Sequence, residues 1–253
     1  MNNRLAVEQL GKHFGGVRVF HDVTFSVPEG CVTALIGPNG AGKSTLINIV
    51  CGVLAADTGR VLLDGKPSAV RRPHQAAAYS LGRTFQEVRL FPTMTALENV
   101  LVAPPRQPGD RLTGLLGPRW RQAEVGNRKR AVELLARLEV DDVQREVARD
   151  LSFGTQKLVG LARAVATGAS TLLLDEPSTG LELSRVPLLI SLLTDLCQNG
   201  RTILLIEHNI DLVAELADQV IVLHGTVIAS GSVAQVLHDE QVIREYLGRV
   251  YDA

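Results

Sequence analysis

The feature that most constrains the fold is a glycine-rich segment near the N-terminus. Residues 37–44 read Gly-Pro-Asn-Gly-Ala-Gly-Lys-Ser and fit the pattern G-x-x-x-x-G-K-[ST]. The continuous apolar run Cys31–Ile36 precedes them, and Ser44–Val50 follows with the spacing of a helix. A buried strand, a glycine loop and a helix in this order are the context that gives the pattern its meaning. The sequence therefore predicts a phosphate-binding loop rather than a chance glycine turn.

The chemistry of phosphate binding explains the fixed positions of this loop. Glycines let backbone N–H groups close around phosphate oxygens, and the helix N-terminus adds partial positive charge there. Lys43 supplies a point charge for terminal phosphates, Ser44 a hydroxyl for Mg²⁺, and Thr45 a hydroxyl for a phosphate nearer the sugar. The predicted nucleotide-binding residues of this segment are Gly37, Pro38, Asn39, Gly40, Ala41, Gly42, Lys43, Ser44 and Thr45.

Apolar runs of strand length elsewhere indicate the fold class. Three later runs have the character of buried strands: Thr171–Leu174, Thr202–Ile206 and Val220–Leu223. Segments with helical periodicity, Val186–Gln198 and Ile210–Leu216, lie between them. Because strands that alternate with helices form parallel sheets, the sequence predicts an α/β fold with a mainly parallel sheet.

The N-terminal and middle segments have different patterns. Residues 4–36 alternate apolar and polar positions between glycine and proline turns, which predicts short strands in an antiparallel layer. The middle of the chain lacks a buried strand run but contains the amphipathic segment Arg128–Leu138, which predicts a helical subdomain. We therefore expect a single domain with three parts: a core at about 1–86 and 168–230, an inserted helical subdomain at about 87–167, and a C-terminal helical tail at about 231–253.

The bulk composition argues against several classes of protein. The 26 Lys and Arg residues against 27 Asp and Glu give a net charge of −1, so nucleic acid is not an expected partner. Cys31, Cys51 and Cys197 are far apart in apolar surroundings, which favours buried thiols of a reducing compartment over disulfides or a zinc site. The start of the chain resembles no signal peptide, and no apolar run approaches the ~20 residues of a membrane-spanning helix. We expect a protein that is not exported and that acts at a membrane only as a peripheral subunit.

Two adjacent carboxylates end one of the predicted strands. Asp175 and Glu176 follow the run Thr171–Leu174, at the carboxyl end where parallel sheets bind ligands. Taken alone, such a pair is as consistent with a helix-capping turn as with catalysis. Together with a phosphate loop, it predicts that Asp175 holds Mg²⁺ and that Glu176 acts as a general base or polarising group for an attacking water.

Four further motifs follow in a fixed order along the chain. They are Arg83-Thr-Phe-Gln86, Leu151-Ser-Phe-Gly-Thr-Gln156, Ser178-Thr-Gly-Leu181 and Ile206-Glu-His208-Asn. With the glycine loop and Asp175–Glu176, they resemble the Q-loop, signature, D-loop and switch histidine of the ABC ATPase family. The resemblance covers nearly the whole chain and implies an ATPase that binds ATP and Mg²⁺.

The resemblance also implies a role for each matching residue. Members of this family work as dimers, so Ser152 and Gly154 are expected to contact the γ-phosphate of an ATP held by the second subunit. Gln86 is expected to reach Mg²⁺ or the attacking water, and His208 to hold the γ-phosphate. Phe14 matches the aromatic residue that stacks on adenine, with a core position in a strand as the alternative. The predicted catalytic residues are Glu176, His208, Gln86 and Lys43, and the predicted metal ligands are Ser44, Gln86 and Asp175.

Two positions depart from the family pattern. Thr155 stands where the signature usually has glutamine, and Glu182 stands where the D-loop often ends in aspartate or asparagine. Both leave Ser152 and Gly154 unchanged, so they bear on details of the dimer interface rather than on ATP binding.

The stretch 82–100, Gly-Arg-Thr-Phe-Gln through Glu-Asn-Val, looks closely like that of branched-chain amino-acid uptake ATPases. That resemblance implies a peripheral subunit on the cytoplasmic face of the membrane. Its expected partners are a second ATPase subunit, which is a copy or a related paralogue, two transmembrane permease subunits and, indirectly, a solute-binding protein. The alternatives are a urea or amide uptake ATPase and a soluble ABC ATPase outside transport.

Overall fold

A computed structural model describes residues 2–84, 88–104 and 118–244, with the side chains of residues 118–121 left undescribed. The strands are β1 (Asn3–Phe14), β2 (Val17–Pro28), β3 (Val32–Ile36), β4 (Thr58–Leu63), β5 (Lys66–Pro67), β6 (Leu81–Arg83), β7 (Thr171–Asp175), β8 (Thr202–Ile206), β9 (Gln219–Leu223) and β10 (Val227–Gly231). The α-helices are α1 (Lys43–Val50), α2 (Pro73–Ala76), α3 (Ala96–Leu101), α4 (Pro118–Arg137), α5 (Phe153–Ala166), α6 (Val186–Gln198), α7 (Ile210–Leu216), α8 (Val233–Leu237) and α9 (Glu240–Val242).

The strands form two sheets. One has the order β2-β1-β4-β5 with antiparallel neighbours, and the other has the order β10-β9-β3-β8-β7-β6. In the second sheet β9, β3, β8, β7 and β6 are parallel, and only the edge strand β10 is antiparallel to its neighbour. The predicted α/β fold with a mainly parallel sheet and an N-terminal antiparallel layer is confirmed.

Burial on both faces of the parallel sheet explains why its strands are continuously apolar. Along β7, Leu172 and Leu174 join a core with helices α3 to α6, whereas Leu173 joins a core with α1 and the antiparallel sheet. Successive side chains of a strand point to opposite faces, so both alternating sets have to be apolar. The helices and the antiparallel layer thus cover the two faces of one central sheet.

The parallel register brings three strand ends together. Asp175 at the end of β7 is opposite Ile206 at the end of β8, and Leu35 in β3 is also opposite Ile206. The segments that follow β3, β7 and β8 therefore begin at the same edge of the sheet. These are the segments that carry the glycine loop, Glu176 and His208.

Two details of the predicted elements are wrong. The expected short N-terminal strands are two strands of 12 residues each, because irregular pairings carry the ladder past residues that would end a regular strand. Gln9 and Asp22 adopt φ values of 49° at these irregularities. The helix expected to begin at Arg128 already begins at Pro118. The proposed division into core, helical subdomain and tail stays a prediction.

Candidate active site

The glycine loop lies between β3 and α1, and its backbone requires glycine at two positions. Gly37 has φ 146°, and a Cβ added there would lie 2.0 Å from the backbone oxygen of Leu223. Gly42 has φ 94°, and a Cβ there would lie 2.6 Å from Cδ1 of Phe20. Any side chain at these positions would clash with its surroundings and strain the backbone. The loop is therefore held close against the core in front of the N-terminus of α1.

Lys43 is a buried cation within this loop. Its side chain reaches back so that Nζ donates hydrogen bonds to the backbone oxygens of Gly37, at 2.7 Å, and Pro38, at 3.0 Å. Burial lowers the pKa of Lys43, while the nearby Glu176 and Asp175 raise it in part. A desolvated ammonium beside a loop of backbone amides is suited to binding an anion with several charges.

The remaining residues of the predicted loop follow the same path. Asn39 and Gly40 are exposed at its tip, and Ala41 is buried beneath it. The amide of Ala41 donates to the backbone oxygen of Pro38 at 3.2 Å, which closes the turn. Thr45 is half-buried in the first turn of α1. These placements agree with a loop that encloses a ligand at the helix N-terminus.

Asp175 and Ser44 meet at the end of β7. Ser44 Oγ lies 3.4 Å from Asp175 Oδ1, and Arg83 Nη2 lies 3.8 Å from Asp175 Oδ2. Asp175 is only 2% exposed. Burial raises the pKa of its carboxyl, with a further increase from Glu176, whereas Arg83, Ser44 and Lys43 lower it. A buried carboxylate and a hydroxyl are the hard oxygen donors that Mg²⁺ prefers.

Glu176 and His208 form a pair beside this cluster. Glu176 Oε1 and His208 Nε2 are 3.0 Å apart, and the hydroxyl of Thr179 lies 3.4 Å from Glu176 Oε2. Glu176 adopts φ 49°, a conformation that non-glycine residues rarely take. The structure thus brings together Lys43, Ser44, Asp175, Glu176 and His208, the five predicted residues that this edge of the sheet positions.

Phe14 is not a core residue. It is the last residue of β1 and is 49% exposed. Lys12 Nζ lies 5.2 Å from the centroid of its ring, and the Lys12 ammonium also pairs with Asp57 at 2.9 Å. The exposed ring can therefore offer a face to a planar ligand.

The predicted signature residues lie apart from this cluster. Ser152 is exposed and caps α5, where its Oγ accepts from the amide of Thr155 at 3.2 Å and pairs with the Thr155 hydroxyl at 2.9 Å. Within the described ranges, the Ser152 side chain makes no hydrogen bond to residues 37–45. Gly154 packs against the next motif, since a Cβ there would lie 3.2 Å from the backbone oxygen of Gly180. One chain alone therefore does not bring the signature to the phosphate loop.

Gln86, predicted as a catalytic residue and metal ligand, lies outside the described residues. Its neighbour Thr84 is described and ties the preceding strand to the site, because Thr84 Oγ1 accepts from the amide of Asp175 at 3.1 Å. Thr84, the last described residue before Gln86, thus lies next to Asp175.

Comparison with known proteins decides the family. A family model described as ABC transporter matches residues 20–179, more than half of the chain. This chain belongs to the ABC transporter family.

Individual members of the ABC transporter family resemble it over nearly their full length. The chain is 36% identical over 248 residues to the high-affinity branched-chain amino acid transport ATP-binding protein LivG of Escherichia coli K12, covering 96% of this chain and 97% of that protein. An ATP-binding cassette of an ABC transporter in its ADP conformation is 34% identical with a TM-score of 0.81, covering 98% of this chain and 99% of that one. A dimeric ATP-binding cassette in a post-hydrolysis state, bound to ADP and Pi, is 25% identical with a TM-score of 0.76, covering 90% and 98%.

Two buried charged residues of this ABC family member were not predicted from the sequence. Lys157 is 9% exposed and Glu207 is 1% exposed. Lys157 directly follows the signature Leu151–Gln156, and Glu207 immediately precedes His208. The only signal in the sequence is that each charged residue stands next to a motif, and its burial depends on the tertiary structure.

None of the helices in the described part of the chain has the length and apolar character needed to cross a membrane.

Proposed function

We propose that this protein is the ATP-hydrolysing subunit of an ABC importer that takes up branched-chain amino acids. The observation that carries the hydrolytic role is the contact of Glu176 Oε1 with His208 Nε2 at 3.0 Å, beside the phosphate loop. The cargo rests on the similarity to the LivG protein.

ATP binding in this proposal uses groups at the N-terminus of α1. The amides of residues 37–45 bind the phosphate oxygens, as the helix N-terminus and the glycine backbone favour. Lys43 Nζ exchanges its two carbonyl acceptors for oxygens of the β- and γ-phosphates, which carry full charge and form stronger hydrogen bonds. The exposed ring of Phe14 stacks on adenine.

Magnesium fits the oxygen donors at the end of β7. Ser44 and Asp175 would hold it, with Gln86 as a third proposed ligand. When bound, Mg²⁺ neutralises charge on the β- and γ-phosphate oxygens. The proximity of the Ser44 hydroxyl to the buried Asp175 carboxylate supports this assignment.

The chemical step is assigned to Glu176. Its carboxylate accepts a proton from a water molecule as the water oxygen attacks the γ-phosphorus. The bond from the γ-phosphorus to the bridging oxygen breaks, and ADP departs with that electron pair. His208 orients the Glu176 carboxylate through their contact and holds a γ-phosphate oxygen. The proton passes on to solvent or to the phosphate product, so ATP and water yield ADP and phosphate.

Completion of the site requires a second ATPase subunit in this proposal. Ser152 is exposed at the N-terminus of α5, a helix of 14 residues, where an anion is favoured. Ser152 and Gly154 bind the γ-phosphate of an ATP held by the partner subunit. The similarity to a dimeric cassette supports this arrangement.

The partners and location of the importer belong to the same proposal. The protein attaches at the cytoplasmic face of the membrane to two transmembrane permease subunits, which receive cargo from a solute-binding protein. The absence of a spanning helix among the described residues is compatible with this peripheral attachment.

Steady-state turnover of Glu176→Gln tests the hydrolytic role. Glutamine keeps the shape of the side chain and one acceptor oxygen but cannot take the proton, so kcat should fall by about 10²–10⁴-fold while ATP still binds. Glu133→Gln, at an exposed carboxylate on α4, is the matched control and should keep parental turnover. Parental turnover of Glu176→Gln would contradict the general-base role.

The proposed cargo is tested by uptake assays with the assembled transporter. Uptake of urea or amides instead of branched-chain amino acids would contradict the cargo assignment.

A further inference from the structure

Lys157 is a buried cation that has no part in the mechanism above. It lies on α5, five residues after Ser152. Its Nζ donates hydrogen bonds to the backbone oxygens of Glu176 and Thr179, both at 2.6 Å. A charged donor that binds two carbonyl groups of one loop restrains that loop strongly, since charge-assisted hydrogen bonds are the strong ones. Lys157 thus connects the signature helix to the residue proposed as the general base.

The restrained loop needs support of this kind. It comprises residues 176–182, between β7 and the 3₁₀ turn at Leu183–Arg185, and is called the β7 loop below. It begins with Glu176 at φ 49°, a strained conformation that persists only when the surroundings enforce it. The amide of Glu176 is fixed to the backbone oxygen of Ile206 at 2.9 Å, and Lys157 fixes its carbonyl group. Both sides of the strained residue are therefore held.

Glu207 holds the same loop from the other side. Its Oε1 accepts a hydrogen bond from the amide of Ser178 at 2.8 Å, and its Oε2 accepts one from the amide of His208 at 3.2 Å. One buried carboxylate therefore ties the β7 loop to the segment that carries the switch histidine. Burial lowers the pKa of Lys157, and Glu207, Glu176 and Asp175 raise it again. Negative charge around the ammonium thus supports the cationic form that the clamp requires.

We propose that Lys157 and Glu207 are positioning residues that clamp the β7 loop between the signature helix and His208, and so hold Glu176 in its reactive place. The inference rests on the proposed role of Glu176. Because Ser152 caps the helix that carries Lys157, the clamp also links the partner's ATP to this subunit's own general base. The phosphate loop makes no hydrogen bond to Lys157 among the described residues, so nucleotide affinity should be largely independent of the clamp.

The test compares turnover and affinity in Lys157→Met. Methionine keeps the aliphatic stem but removes both hydrogen bonds to the loop. We expect kcat to fall by about 10- to 100-fold, because small displacements of reacting groups commonly cause losses of this size. The Kd for ATP should stay within about threefold of the parental value. Lys157→Arg, which restores a cationic donor, should recover part of kcat. The matched control is Lys129→Met, which removes an exposed lysine of α4 paired with Glu133 and should change neither quantity.

A double variant identifies the residue through which the clamp acts. If Lys157 acts through Glu176, adding Lys157→Met to Glu176→Gln should reduce kcat little further, because effects of residues that act as a unit are not additive. Parental kcat in folded Lys157→Met, or a multiplicative loss in the double variant, would overturn the clamp. An equal loss of affinity and turnover that arginine does not restore would reduce Lys157 to a structural role, which also overturns it.

Glu207→Gln decides the matter if Lys157→Met does not fold. Glutamine keeps the size of the side chain but has a single acceptor oxygen, so it can accept a hydrogen bond from only one of the amides of Ser178 and His208. Lower kcat at unchanged affinity supports the clamp, and parental kcat overturns it. Failure of the general base itself is distinguishable, because Glu176→Gln would then turn over ATP at the parental rate whatever the Lys157 variants show.

Discussion

Replacing Lys43 with methionine removes the one buried cation that the phosphate loop supplies. Its ammonium makes two hydrogen bonds, at 2.7 and 3.0 Å, to loop carbonyl groups. ATP must therefore replace existing bonds rather than make wholly new ones, which limits the net gain. The net gain in binding free energy is the difference between a charged phosphate and a neutral carbonyl as acceptor, which is about 2–3 kcal/mol for a buried charge-assisted contact.

That difference converts into affinity directly. At about 1.4 kcal/mol for each factor of ten, Lys43→Met should weaken ATP binding by roughly 30- to 140-fold. The free energy of unfolding should change less, by about 1–2 kcal/mol, because the loss of two hydrogen bonds is offset by removal of a desolvated charge. The substitution should therefore affect ATP binding more than it affects folding.

Isothermal titration with ATP and Mg²⁺ measures the affinity, and urea unfolding measures the stability. Lys66→Met, at an exposed lysine of β5, controls for the loss of one positive charge and should leave the Kd unchanged. Parental affinity and parental turnover in Lys43→Met would refute the assignment of residues 37–44 as the phosphate loop.

Two further predictions concern the base and a thiol. Phe14→Ala should weaken the binding of ATP and GTP alike, by about 1–3 kcal/mol, because every base offers a face for stacking. Phe14→Tyr should be nearly neutral. Competition against a labelled nucleotide measures both affinities, and an unchanged affinity in Phe14→Ala would contradict stacking. Cys51 is 4% exposed and burial raises the pKa of its thiol to about 11, so at pH 8 it should react with a disulfide reagent far more slowly in the native protein than in guanidinium. Rapid native labelling at Cys51, located by peptide mapping, would contradict that burial.

The parts of the site that follow local rules could be predicted from the sequence. Gly37 and Gly42 are required by backbone conformations and close contacts that only glycine tolerates, so the loop leaves a readable pattern. Asp175 follows from a strand that is apolar up to its carboxyl end. In each case the chemistry depends on neighbours in the chain.

Other features depend on contacts between distant segments. Strand β6 has three residues and exists because it pairs with β7, some 90 positions later in the chain. Lys157 and Glu207 are ordinary charged residues until the fold buries them against the β7 loop. Periodicity cannot reveal either, since nothing in the local pattern marks which long polar side chain turns inward. The roles of Ser152 and Gly154 require a second subunit, so they stay predictions.

In the proposed mechanism ATP joins two ATPase subunits, and Glu176 is the general base for its hydrolysis. Sedimentation velocity of Glu176→Gln tests this most directly, because the variant should bind ATP without consuming it. We expect a dimer in ATP and Mg²⁺ and a monomer in ADP. The ATP-dependent dimer should be lost when Ser152→Arg places bulk and charge where the partner's γ-phosphate would bind. A dimer that forms equally in ADP, or one that survives Ser152→Arg, would contradict it.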